Sequence, residues 1–136
     1  MPREIKHASL TWQEGLHFVG GEPEGPSIAV DGDNQKGPGP MLTLLLAAAA
    51  CTGSDVVAIL QKMRVRLQEF RIEVSGTRWD EEPRRYMAIH LDYWLRGEEL
   101  DPAKARRAID LSLEKYCSVF HSLAPDIAVT YALSLG

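Results

Sequence analysis

Cysteine is scarce in this sequence: its 136 residues include two, Cys51 and Cys117, and no C-x-x-C pair. So few thiols exclude a structural zinc site of four cysteines and a disulfide-rich scaffold. A large excess of charge of one sign is also missing, because 15 basic and 19 acidic residues give a net charge of −4. This balance favours solubility, and it does not provide the positively charged surface that binding to nucleic acid requires.

Long apolar segments are missing as well. The first residues, MPREIKHASLTW, lack the apolar core of a signal peptide. The longest apolar run, from Met41 to Cys51, contains one threonine and is shorter than the roughly 20 residues that span a membrane. We therefore expect a cytoplasmic protein with neither a membrane segment nor a nucleic-acid partner. The apolar share of 45% and the charged share of 25% are typical of globular proteins, and the length predicts a single domain over residues 1–136.

The hydrophobic pattern predicts an α+β fold with antiparallel sheets around a long central helix. Apolar and polar residues alternate in four segments, which predicts strands at about 8–13, 70–75, 87–96 and 126–135. After a hairpin turn at Glu14–Gly15 the chain is expected to return as a strand at 16–19, and a short strand is expected at 27–30. A helix is expected from about Pro40 to Met63. A second helix begins with Asp101 as its N-cap and Pro102 at its first position, and its apolar face extends to Cys117.

The central helix predicts a homodimer. Between Leu42 and Ala50 it is apolar on every side, so it needs apolar cover all round. A helix of about 24 residues is also about 36 Å long, which crosses most of a domain of this size. A second subunit is the simplest source of that cover.

The two cysteines are the residues most suited to chemistry. Both are placed where core-facing helices could meet, as a pair of nucleophilic and resolving thiols requires for peroxide reduction. Two buried cysteines can equally be small hydrophobic core residues, and the pattern leaves both interpretations open. His121 follows Cys117 by four residues, but a Cys–His pair needs a hydrogen bond that the sequence cannot show.

Two motifs resemble the OsmC/Ohr family of osmotically induced and organic hydroperoxide resistance proteins. The run GPGPMLTLLLAAAACTGSDVVAILQKMR, from Gly37 to Arg64, is similar to the central-helix signature of that family. The segment LDPAKARRAIDLSLEKYCSVFHSL is similar to the second cysteine motif. The pattern W-x-x-G-x-x-F, from Trp12 to Phe18, resembles a less characterised subgroup.

This resemblance implies an OsmC-like fold, an intertwined homodimer and a thiol peroxidase with peroxiredoxin-like chemistry that acts in the stress response. Cys51 would attack an organic hydroperoxide, Cys117 would resolve the product as a disulfide, and a dithiol reductant would regenerate both. No metal and no organic cofactor are implied.

Two departures from the family pattern keep an alternative open. The family's peroxidases have a glutamate directly after the proline of the central helix, whereas Met41 follows Pro40 here. They also use an arginine from the N-terminal hairpin region, whereas this sequence has no arginine between Arg3 and Arg64. The alternative is a non-enzymatic OsmC-like dimer that binds a small apolar ligand in its interface pocket.

Overall fold

The computed structural model describes residues 3–136, and they form two compact units divided between Leu44 and Leu45. Within these residues the elements follow in the order β1 (Ser9–Glu14), β2 (His17–Gly21), β3 (Ser27–Asp31), α1 (Pro40–Lys62), β4 (Arg66–Arg78), β5 (Tyr86–Glu98), α2 (Pro102–Leu111), a π-helical turn (Ser112–Tyr116), α3 (Ser118–Ser122) and β6 (Ala128–Leu135). The predicted α+β class is confirmed. The single domain over residues 1–136 stays a prediction.

The first unit is an antiparallel sheet in the order β1-β2-β3. Its glycine-rich loop is organised by the buried carboxylate of Asp31, which accepts hydrogen bonds from the backbone N–H groups of Asp33 at 2.8 Å and Lys36 at 3.0 Å. These bonds hold the pKa of Asp31 below its usual value. The predicted loop before α1 is therefore an ordered structure.

The second unit contains a sheet in the order β4-β5-β6. Strands β4 and β5 pair antiparallel as predicted, but β6 pairs parallel to β5, so the expectation of purely antiparallel sheets was wrong in this detail. The reason lies in the connection: α2, the π-helical turn and α3 return the chain to the end of the sheet where β5 began, and such a crossover gives parallel strands.

The core of the second unit lies between α1, the sheet and α2. Fully buried apolar residues meet there from each element, including Val56 and Leu60 of α1, Leu91 of β5 and Ile109 of α2. Helix α2 begins as predicted, with the Asp101 side chain accepting a hydrogen bond from the backbone N–H of Lys104 at 2.8 Å.

Helix α1 buries one face within the chain and exposes another. Its buried residues are Leu45, Ala48, Ala49, Thr52, Val56 and Leu60. In contrast, Leu42 is 46% exposed and Leu46 is 50% exposed, so the expected cover on every side is incomplete within one chain. By length and composition α1 could also cross a membrane, a property that it shares with the core helices of soluble proteins.

Candidate functional site

The structure brings the two predicted site residues together with a third group. The Sγ atoms of Cys51 and Cys117 and a carboxylate oxygen of Asp55 all lie within 4.8 Å of one another. Cys117 is completely buried, whereas Cys51 and Asp55 are half-buried. One thiol is thus sealed in the core and its neighbour is within reach of solvent.

Two separate segments supply these three groups. Cys51 and Asp55 are four residues apart on α1, so their side chains lie on one helical face. Cys117 lies at the junction between the π-helical turn and α3, where its backbone is extended with ψ of 100°. Its N–H donates to the carbonyl oxygen of Ser112 at 2.7 Å, which is the wide bond of a π turn. The interruption of regular helix therefore sets the position of the Cys117 thiol.

A chain of buried hydroxyl groups fixes Asp55 from behind. Ser112 Oγ donates to Asp55 Oδ2 at 2.9 Å, because a carboxylate can only accept. With its one proton used, Ser112 accepts from Thr52 Oγ1 at 2.7 Å. Thr52 in turn accepts from the Tyr93 hydroxyl at 2.8 Å. The three hydroxyl protons therefore point in one direction along this series of hydrogen bonds, from Tyr93 on β5 to the carboxylate beside the thiols.

Burial is the main reason why the Cys117 thiol resists deprotonation. It raises the pKa of the Cys117 thiol to about 11, against the opposing effect of a hydrogen bond from the backbone of Phe120. A hydrogen bond with Cys51 and the charges of Cys51 and Asp55 raise this pKa further. Cys117 therefore stays a protonated thiol at neutral pH, and its S–H group can donate to the Cys51 sulfur.

His121 does not form a catalytic pair with Cys117. Its Nδ1 lies 2.8 Å from the carbonyl oxygen of Cys117, and its Nε2 lies 3.2 Å from the carbonyl oxygen of Glu114. The ring thus contacts the backbone around the π-helical turn.

An apolar groove follows the exposed face of α1. It has a volume of about 620 Å³ and lies between α1 and β4, where Leu46, Ala50, Val57, Phe70 and Ile72 contribute to its wall. In the described part of the chain, neither cysteine belongs to this wall. The groove and the thiol pair are therefore two different features, and α1 contributes to both.

Sequence reasoning missed the polar residues around the thiols. It singled out neither Thr52 nor Asp55 on the central helix, nor Ser112 on the second one. The spacing of four residues between Cys51 and Asp55 was the available signal for one of them. Ser112 and Tyr93 gave none, because they are 60 and 41 positions from Thr52 in the sequence.

Comparison with known proteins gives concordant results. The profile of a family described as OsmC-like protein matches residues 32–132. Protein YhfA of Escherichia coli strain K12 is 39% identical over 126 residues, which cover 92% of this chain and 94% of YhfA.

Solved structures share the fold. An OsmC-like protein from Mycoplasma pneumoniae is 16% identical and superposes with a TM-score of 0.83 over 97% of both chains. The organic hydroperoxide resistance protein OhrB of Bacillus subtilis is 19% identical, with a TM-score of 0.62 over 94% of this chain and 98% of OhrB.

Proposed function

Because this chain belongs to the OsmC-like protein family, we propose that it is a two-cysteine thiol peroxidase that reduces organic hydroperoxides. The observation that carries the proposal is the proximity of a half-buried thiol, Cys51, to a buried one, Cys117, with their sulfur atoms within 4.8 Å. The chain also shares its fold with OhrB of Bacillus subtilis, a protein named for resistance to organic hydroperoxides, and this likeness supports organic hydroperoxides as the substrates.

In the first step Cys51 is the nucleophile, since its side chain is within reach of solvent. Burial raises the pKa of the Cys117 thiol to about 11, so Cys117 keeps its proton at neutral pH, and its S–H group can donate a hydrogen bond to the Cys51 sulfur. The Cys51 thiolate attacks one hydroperoxide oxygen, the O–O bond breaks, and the organic alkoxide leaves as an alcohol after taking up a proton. Cys51 is then a sulfenic acid.

In the second step the Cys117 sulfur attacks the Cys51 sulfur. The S–S bond forms, the S–O bond breaks, and the departing hydroxide combines with the Cys117 proton as water. The Asp55 carboxylate lies within 4.8 Å of both sulfurs and can hold that proton during the transfer. A dithiol reductant then supplies two electrons and two protons to restore both thiols.

The exposed apolar face of α1 supports the homodimer as the working form in the cytoplasm. The face includes Leu46, half of which is accessible in one chain, and it borders the groove of about 620 Å³. Burying apolar surface of this kind is the usual driving force for stable subunit association.

The same groove favours one alternative, which is a non-enzymatic dimer that binds a small apolar ligand there. The observation behind it is that the apolar wall is separate from both cysteines. In that case the thiols serve only as packed core residues, and the protein consumes no peroxide.

Intact-mass spectrometry after treatment with cumene hydroperoxide separates the two functions. The peroxidase should lose two hydrogens as its disulfide forms. Cys117→Ser should gain oxygen on Cys51, whereas Cys51→Ser should show neither change, because a hydroxyl is a far poorer nucleophile. If the wild type forms no intramolecular disulfide at any peroxide dose, the peroxidase proposal is wrong and the ligand-binding function replaces it.

A further inference from the structure

We propose that Cys51, Asp55 and Cys117 also bind a thiophilic divalent cation such as Zn²⁺ while both thiols are reduced. This binding is separate from the proposed peroxidase activity, because it needs no peroxide and no electron transfer. It would, however, compete with disulfide formation for the same two sulfur atoms.

The spacing of the three donor atoms suits such an ion. Tetrahedral zinc has Zn–S distances near 2.3 Å and Zn–O distances of 2.0–2.2 Å, which place two sulfurs about 3.8 Å apart and a sulfur and an oxygen about 3.6 Å apart. All donor atoms here already lie within 4.8 Å of one another. Movements of about 1 Å therefore bring the donor atoms to the distances that zinc requires.

The surroundings hold the ligands in orientation. The Ser112 hydroxyl donates to one carboxylate oxygen of Asp55, which leaves the other oxygen for the ion. Ser112 is itself fixed by Thr52, and Thr52 by Tyr93. Such hydrogen bonds to a ligand are the common support of a metal site, since they fix the direction of the ligand.

The donor chemistry selects the kind of ion. Two thiolates and one carboxylate favour zinc or a softer metal over magnesium or calcium, which prefer oxygen ligands. Three potentially anionic groups in contact repel one another when all are deprotonated, and a divalent cation between them removes that repulsion. Binding releases the two thiol protons, and three protein ligands leave a fourth position for water or a small ligand.

The test is a Zn²⁺ titration of the reduced, chelator-treated protein by calorimetry, with Cd²⁺ in parallel because cadmium–thiolate bonds absorb in the ultraviolet. We expect one ion per chain and an absorbance typical of two thiolates. Cys117→Ser and Cys51→Ser should each lose about half of the absorbance. Asp55→Asn should keep the absorbance and weaken Zn²⁺ affinity at least about tenfold, because the loss of a group that only supports a ligand already costs about 10–100-fold and Asp55 is itself a proposed ligand.

Controls make the outcome specific. Asp80→Asn changes an exposed carboxylate elsewhere and should bind like the wild type. The disulfide form of the wild type should bind no ion. The proposal is wrong if the reduced wild type does not bind Zn²⁺, or if either serine variant binds it with unchanged affinity. If Cys117→Ser does not fold, Cys51→Ser still provides the test, because Cys51 is only half-buried. Because peroxide is absent from this titration and Zn²⁺ is not added in the mass experiment, either proposal can fail alone.

Discussion

The Tyr93 hydroxyl on β5 lies 2.8 Å from the hydroxyl of Thr52 on α1. Thr52 directly follows Cys51 in the sequence. The Tyr93 and Thr52 side chains are completely buried, so this bond has no competition from water. It fixes the turn of α1 that presents Cys51 relative to the sheet. The position of Cys51 is therefore set by a polar contact inside an otherwise apolar core.

Replacing Thr52 with valine should destabilise the protein by about 2 kcal/mol or more. Valine keeps the shape but leaves the Tyr93 hydroxyl without its acceptor and Ser112 without the hydrogen bond that it accepts, and each loss of a buried partner costs about 1–3 kcal/mol. Urea unfolding measures the change in the free energy of unfolding.

Thr43→Val is the matched control on the same helix. The Thr43 hydroxyl bonds only to backbone carbonyls of the preceding turn, and the closest is that of Gly39 at 2.8 Å. This change should cost less than about 1 kcal/mol, because no side-chain partner is left buried. Equal costs at both positions would contradict the structural role given to the Thr52–Tyr93 contact.

Alkaline pH should destabilise the fold through Tyr93. Burial raises its pKa to about 12, with a smaller opposing effect of the hydrogen bond with Thr52. Since the unfolded value is near 10, the stabilising contribution of the protonated side chain is complete below about pH 10 and is lost as the pH rises through 12. The two values differ by roughly two units, which corresponds to roughly 2–3 kcal/mol.

Tyr93→Phe tests this contribution, because phenylalanine has no proton to lose. The free energy of unfolding of the variant should fall less steeply between about pH 10 and 12 than that of the wild type. Tyr116→Phe, at a half-exposed side chain, should leave the slope unchanged. If the free energy of unfolding depends on pH in the same way for the wild type and Tyr93→Phe, then Tyr93 ionises equally easily in the folded and the unfolded state, which would contradict the prediction.

Local patterns in the sequence predicted most of the fold. The N-cap at Asp101 and the apolar run after Pro40 gave helix starts that agree with the structure. Alternation located β1, β4, β5 and β6, and the hairpin turn and loop signals located β2 and β3, although β4 and β5 extend further than their most regular parts. The resemblance to the OsmC/Ohr family supplied the specific fold, which the comparisons confirm.

Features that depend on distant residues were not predictable in this way. The parallel pairing of β6 depends on how the α2 crossover packs, and the π-helical turn before Cys117 has no signature in the hydrophobic pattern. The hydroxyl chain behind Asp55 joins residues from α1, β5 and the π-helical turn. Contacts of this kind are set by tertiary packing, which a single sequence does not display.

Arg64→Gly should stabilise the protein by about 0.5–1 kcal/mol. Arg64 has a φ of +63° where the chain leaves α1, and the adjoining N–H of Val65 donates to the Leu60 carbonyl at 2.9 Å. A side chain in this left-handed conformation is strained by about 1 kcal/mol, whereas glycine is not. Lys62→Gly is the control, and it should instead destabilise by up to about 1 kcal/mol because Lys62 is helical. Thermal unfolding distinguishes the two, and a loss of stability in Arg64→Gly would contradict the strain.

Leu46→Asp should convert the proposed dimer into a folded monomer. Leu46 is 50% exposed in one chain and lines the groove along α1, so a charge there costs the single chain little but disfavours burial against a partner. Sedimentation at micromolar concentration should show a dimer for the wild type and a monomer for the variant, with unchanged circular dichroism.

Met87→Asp is the matched control for Leu46→Asp, since Met87 is 46% exposed and does not line the groove. It should remain dimeric, because the charge lies away from the apolar face of α1 that the second subunit is proposed to cover. A wild type that sediments as a folded monomer would overturn the dimer itself. Dissociation by both variants, in contrast, would place the interface across a wider surface than this groove.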